Sequence, residues 1–141
     1  MMNATATSTY PAGLRLRRVP VATGLAAVSA ARAEVCRIVS AWHVPVDPDA
    51  VALLTSELVT NAIRHEASPA VRVAVRCSSG QLRVEVHDSS RDMPAPADAP
   101  ADAENGRGLI IVAALADEWG FYATPRGKAV YFTLVFRAGE A

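Results

Sequence analysis

The feature that most constrains this chain is a pair of short runs whose apolar residues recur at every second position. Val71, Val73 and Val75 alternate with Arg72 and Arg76, and Leu82, Val84 and Val86 alternate with Arg83 and Glu85. Alternation of this kind collects the apolar side chains on one face only if the backbone is extended. Ser78-Ser79-Gly80 between the runs has the composition of a hairpin turn. A two-stranded hairpin is at best marginal in water, so its apolar face needs a cover.

The flanking sequence supplies one. From Thr23 to Trp42 the chain is Ala-rich, with Leu25, Val28, Val35, Ile38 and Val39 at helical spacing. Pro45 and Pro48 break that pattern; Asp47 is placed to cap a second helix from Pro48 to His65, whose core stripe is Val51, Leu54 and Leu58. Upstream, Leu14, Leu16 and Val19 alternate with Arg15, Arg17 and Arg18, predicting a short edge strand closed by Pro20. Downstream, Leu109 to Asp117 reads as a third helix. Phe121–Thr124 and Ala129–Phe136 form a closing hairpin about Pro125-Arg126-Gly127-Lys128. This order predicts an α+β (α/β) two-layer sandwich, with a mixed, mainly antiparallel sheet carrying three helices on one face.

At 141 residues the chain suits one domain. Residues 1–13 read as a flexible lead, 14–137 as the domain and 138–141 as a tail. Within it, residues from about 89 to 106 form a loop with Pro94, Pro96 and Pro100 among Ala and Asp. A loop of that length in a small domain is usually functional or disordered. Fourteen basic and fourteen acidic residues cancel, which removes compositional support for non-specific nucleic-acid binding. Cys36 and Cys77 are too few for a disulfide framework and lack metal-ligand spacing, so both read as small buried residues. No apolar run approaches the roughly 20 residues of a membrane span. Met1 to Pro11 lacks the charged-then-apolar order of a signal peptide, which sets the expectation of a cytoplasmic protein. Trp42 and Trp119 read as core or core-edge aromatics. His43 and His87 have no partner visible in sequence.

Three features carry candidate chemistry. In the second helix, Glu57, Asn61 and His65 fall at i, i+4 and i+8, stacked beside the Leu54–Leu58 stripe. A carboxylate and a carboxamide one turn apart can orient a hydroxyl and complete a magnesium shell. The same spacing also describes a solvated polar flank. Asp88 continues the Val84–Val86 parity, so its carboxylate points to the buried side where the strand ends. It must find donors there, either backbone N–H groups of the next turn or a ligand amine such as that of adenine. Gly106-Arg107-Gly108 sits where the long loop meets the third helix, as a hinge or as a phosphate cradle at a helix N-terminus. Lys128, the single lysine, reads as a solvated residue at a hairpin tip, with reach toward phosphate or a partner as the functional alternative.

In their order, ELVTNAIRH, VHDSSRDMP and GRGLIIV with the ending WGFYATPRGKAVYFTL resemble the N, G1 and G2 boxes of the GHKL superfamily of ATP-binding proteins. The resemblance spans residues from about 14 to 137. It is nearest to the single-domain anti-sigma-factor branch of bacterial serine/threonine protein kinases. It implies the Bergerat fold, ATP and Mg²⁺ as ligands, and transfer of the γ-phosphoryl group to a Ser or Thr of a small anti-anti-sigma-type antagonist, thereby controlling a sigma factor or similar regulator. Asn61 would ligate Mg²⁺, and Glu57 would be the catalytic base. Asp88 would bind the adenine amine, and Thr133 would sit near the adenine on the last strand. Gly106, Arg107, Gly108 and Leu109 would form the phosphate lid and the start of the following helix. His65, Ser90 and Pro94 occupy further motif positions, and homodimerisation is a further expectation from the family. Ser90 and Asp92 replace the two G1 glycines, and Glu66 stands where a glycine commonly follows the N-box histidine. These departures favour the alternative of a non-catalytic module that sequesters a regulator, with ATP structural or absent.

Overall fold

The computed structural model describes residues 14–21, 24–65, 71–90 and 104–137. The lead 1–13, Glu66, residues 91–103 (Arg91, Asp92 and Pro94 among them) and the tail 138–141 lie outside the described residues. The elements follow in the order β1 (Arg15–Val21), α1 (Leu25–Ala41), α2 (Pro48–His65), β2 (Val71–Ser78), β3 (Gln81–Asp88), α3 (Glu104–Leu115), β4 (Glu118–Thr124) and β5 (Gly127–Val135). They build a five-stranded sheet in the order β1-β2-β3-β5-β4. All four pairings are antiparallel, so the sheet is not mixed.

Register settles which side chains meet the helices. Val73 pairs with Val86, Val75 with Val84, Val86 with Val130 and Val84 with Phe132, so these side chains share one face. That face closes against Val35 and Ile38 of α1 and Val51, Leu54 and Leu58 of α2, all at most 1 % exposed. The alternation that predicts the hairpin therefore also predicts the core.

The helix ends are specified locally. Asp47 Oδ1 accepts a hydrogen bond from the Asp49 N–H at 2.9 Å, capping α2 as its sequence position predicts. Helix α1 ends in a Schellman turn: the His43 N–H donates to Ser40 O at 3.0 Å and the Val44 N–H to Val39 O at 3.2 Å. His43 takes the left-handed conformation (φ 56°) that such a turn demands, giving this residue a backbone role.

Two boundaries differ from expectation. Strand β1 runs through Pro20 to Val21, because an edge strand tolerates a proline where a central one cannot. Helix α3 begins at Glu104, five residues before Leu109. Two glycines read as a break on propensity, yet burial of Leu109 and Val112, at 4 % and 0 % exposure, holds the helix through them.

Candidate functional site

Helix α2 packs on both β3 and α3, which brings the separate sequence features together. Glu57 is half-buried on α2, and one turn on Asn61 is 6 % exposed. A Cβ built at Gly108 of α3 would lie 2.7 Å from Glu57 Oε1. The glycine is thus what lets the Glu57 carboxylate rest against the α3 backbone. Leu109 beside it is buried in the core. Gly106, Arg107 and Gly108 lie within α3, so they are not a loop leading into it. The unpaired N–H groups of this helix belong to its first turn, and Gly108 falls beyond that turn. His65 is the last residue of α2.

Asp88 ends β3 on the helix-facing side of the sheet, where register pairs it with Lys128, the second residue of β5. The two side chains form a buried ion pair, each 1 % exposed, with Lys128 Nζ 3.0 Å from Asp88 Oδ2. The other oxygen, Oδ1, accepts from Lys128 Nζ at 3.1 Å and from the Ser90 N–H at 2.8 Å. Oδ2 lies 3.0 Å from the same ammonium, so both carboxylate oxygens face Lys128, and no other group among the described residues bonds to Oδ2. Lys128 is therefore no solvated turn residue. Its position was legible in the parity of Val130, Phe132 and Leu134, which runs back to 128 as surely as that of Val84 and Val86 runs forward to Asp88.

Thr133 does not join this group. It pairs with Arg83 and Glu118, which places it on the opposite face of the sheet from Asp88. Its Oγ1 is buried there without a hydrogen bond. The motif ending suggested an adenine contact, but the period of two forbids one from this strand position.

That outer face holds a cluster that single-strand reading misses. Glu85, 1 % exposed, accepts from Arg83 Nε at 2.7 Å and from the Tyr122 hydroxyl at 2.9 Å, with His87 Nε2 at 3.2 Å. Arg83 in turn stacks over the Tyr131 ring at 3.7 Å. Burial pushes the Glu85 carboxyl up. The hydrogen bonds from His87 and Tyr122 and the charges of Arg76 and Arg83 outweigh it and hold the group at about 2. A hollow of about 320 Å³ lined in part by Arg18, Arg72 and His87 lies near the β1–β2 edge, away from Glu57 and Asp88. Among the described residues no cluster of three or more His, Cys, Asp or Glu is poised to hold a metal, and no helix is long and apolar enough to cross a membrane.

Comparison with known proteins agrees with this architecture. The family described as histidine kinase-like ATPase domain matches residues 21–134. Among solved structures, the fold is similar to the RsbU and RsbW domains of Rv1364c from Mycobacterium tuberculosis, with a TM-score of 0.59 at 18% identity. The match covers 85% of this chain and 32% of that one, so the present chain corresponds to about a third of its neighbour. No curated protein matches it.

Proposed function

The chain belongs to the histidine kinase-like ATPase domain family, and on that premise we propose that it binds Mg·ATP and acts as a protein serine/threonine kinase of the anti-sigma-factor type. The observation that carries this reading is that the Glu57 carboxylate fills the space a side chain at Gly108 would need, which brings the carboxylate of the second helix beside the glycine of the third. Asp88 Oδ2 is buried with only the Lys128 ammonium beside it, and its remaining lone pair fits the exocyclic amine of adenine.

Each residue has a definite task in this reading. The Asn61 carboxamide oxygen would be the hard ligand this chain offers to a Mg²⁺ ion arriving with the nucleotide. The ion, when bound, neutralises charge on the phosphates. Glu57 orients the hydroxyl of an incoming Ser or Thr. The hydroxyl oxygen bonds to the γ-phosphorus as the bridging P–O bond breaks, its proton passes to the Glu57 carboxylate, and ADP leaves. The acceptor is an antagonist of the anti-anti-sigma type, and the chain works as a cytoplasmic, dimeric regulator of a sigma factor or similar protein.

Calorimetric titration of the native chain with ATP, with and without Mg²⁺, tests binding. Transfer of labelled γ-phosphate to antagonist proteins, native chain against Glu57→Gln, tests catalysis. The expected result is Mg²⁺-dependent binding that Glu57→Gln retains and transfer that it abolishes. Absence of ATP binding by the native chain removes the reading.

One observation favours a second reading. Asp88 already has Lys128 as an ion-pair partner, so the site is electrostatically satisfied without a nucleotide. A non-catalytic module that holds a regulator through its surface then follows. Nucleotide-independent capture of a sigma factor, with no phosphoryl transfer, is the outcome that selects it.

A further inference from the structure

A buried ion pair kept only for the fold should have its hydrogen-bonding capacity used up, because unmet buried valences are costly. The Asp88–Lys128 pair does not. An ammonium carries three N–H donors, and among the described residues Lys128 Nζ makes one hydrogen bond, to Asp88 Oδ1 at 3.1 Å. Asp88 Oδ2 has only that same ammonium beside it. The ammonium faces Oδ2 as well, at 3.0 Å, and with both oxygens engaged it still keeps at least one N–H, and Oδ2 one lone-pair direction, without a partner among the described residues.

The edge of adenine presents the complement: an exocyclic N6 amine that donates and, next to it, a ring nitrogen N1 that accepts. We infer that Asp88 and Lys128 together form a two-point reader of that edge, with Asp88 Oδ2 accepting from N6 and Lys128 Nζ donating to N1. Lys128 thereby becomes a specificity-determining residue of the nucleotide site. The inference rests on the ATP-binding reading above and adds to it a charged donor from the last strand.

The backbone supports this placement. A Cβ built at Gly127 would collide with the Asp88 carbonyl oxygen and lie 2.6 Å from Ser89 Cα. Glycine at 127 therefore lets the start of β5 press against the end of β3, which fixes the two head groups relative to one another. Both are covered in this conformation, so entry of the base has to uncover them.

The test removes one atom from the ligand and leaves the protein intact. ATP, 1-deaza-ATP, 7-deaza-ATP and GTP are titrated calorimetrically into the native chain with Mg²⁺. ATP and 7-deaza-ATP should bind alike, and 1-deaza-ATP about ten- to hundredfold more weakly, the loss expected for one charge-assisted hydrogen bond. In Lys128→Met, checked for folding by its melting curve, ATP and 1-deaza-ATP should bind equally. Lys128→Gln, which keeps an N–H donor, should recover part of the difference. Equal binding of ATP and 1-deaza-ATP by the native chain overturns the inference, as does discrimination that persists in folded Lys128→Met, or tighter binding of GTP than of ATP. In each of these cases ATP still binds and the wider reading stands. Failure of the native chain to bind ATP at all overturns both. If Lys128→Met does not fold, the native chain and Lys128→Gln decide the matter.

Discussion

Neutralising one member of the Asp88–Lys128 pair should cost this fold more than any single surface change. The two charges are 3.0 Å apart and each side chain is 1 % exposed. At an effective dielectric of about 20 their attraction is about 5 kcal/mol, and much of that offsets the cost of taking both charges out of water. Asp88→Asn leaves the ammonium buried without a counter-charge, and Lys128→Met does the same to the carboxylate. Breaking such a pair from one side typically costs about 3–5 kcal/mol, while replacing both partners is often close to neutral. Against a total stability of about 5–15 kcal/mol, either single variant stands near the edge of unfolding. With a shift of roughly 3 °C per kcal/mol for a domain of this size, each should melt about 10–15 °C below the native chain. The double variant Asp88→Asn/Lys128→Met should recover most of the loss, and the cycle built from the four proteins should give a coupling of several kcal/mol. Denaturant unfolding provides the free energies and calorimetry the melting points. Single variants that melt within about 3 °C of the native chain would show that the charges are solvated and would refute the reasoning. The same arithmetic bears on ligand binding, since loss of ATP binding in Asp88→Asn reports adenine recognition only in a sample shown to be folded.

Further outcomes follow from individual contacts. Gly108→Ala should leave melting unchanged or raise it slightly, because alanine favours a helix by about 1 kcal/mol. The added methyl displaces the Glu57 carboxylate, so γ-phosphate transfer should fall about 10–100-fold; unchanged transfer would remove Glu57 from the catalytic role. Gly127→Ala should destabilise by more than about 2 kcal/mol in denaturant unfolding, since the clash is with the backbone of Asp88 and Ser89. Glu85 is held below its ordinary value of 4.5, at about 2, so its stabilisation is present above 4.5 and is lost as the pH falls toward 2. That loss amounts to roughly 3 kcal/mol in acid unfolding, and Glu85→Gln should abolish this part of the pH dependence. His43→Gly should raise stability by about 1 kcal/mol by relieving the left-handed backbone strain, whereas His43→Ala should not.

Much of this fold was legible because its signals are local and periodic. The α2 boundaries, the Asp47 cap and both hairpins follow from spacing and turn chemistry within a few residues of each feature. The start of α3 was not legible, because Gly106 and Gly108 argue against a helix and only the distant core that buries Leu109 and Val112 overrides them. For Lys128 the parity of Val130, Phe132 and Leu134 shows the face but not the partner. Lysine beside a turn is ordinarily solvated, and nothing near it in sequence announces that register sets Asp88 opposite. Thr133 is the converse case, since its motif position points to adenine while its parity in β5 sets it on the face opposite Asp88. Glu85 belongs to a cluster drawn from β3 and β4, which neither strand displays alone.

The sheet order has a consequence for how the domain assembles and breathes. The β2–β3 and β4–β5 hairpins each close through a short turn, whereas β3 and β5 meet across a gap that separates Asp88 from Lys128 by 40 positions. Loop-closure entropy makes that junction later to form than either hairpin. The sheet thus holds two quickly made hairpins joined along a seam, with β1 added to β2 across a still longer gap, and the charged pair sits at one end of the seam. Amide hydrogens of β5 that face β3 should exchange through a lower-energy opening than those shared by β2 and β3. A ligand bridging the ends of β3 and β5 would staple the seam, so its footprint in hydrogen exchange should run down β5 well beyond the residues it touches.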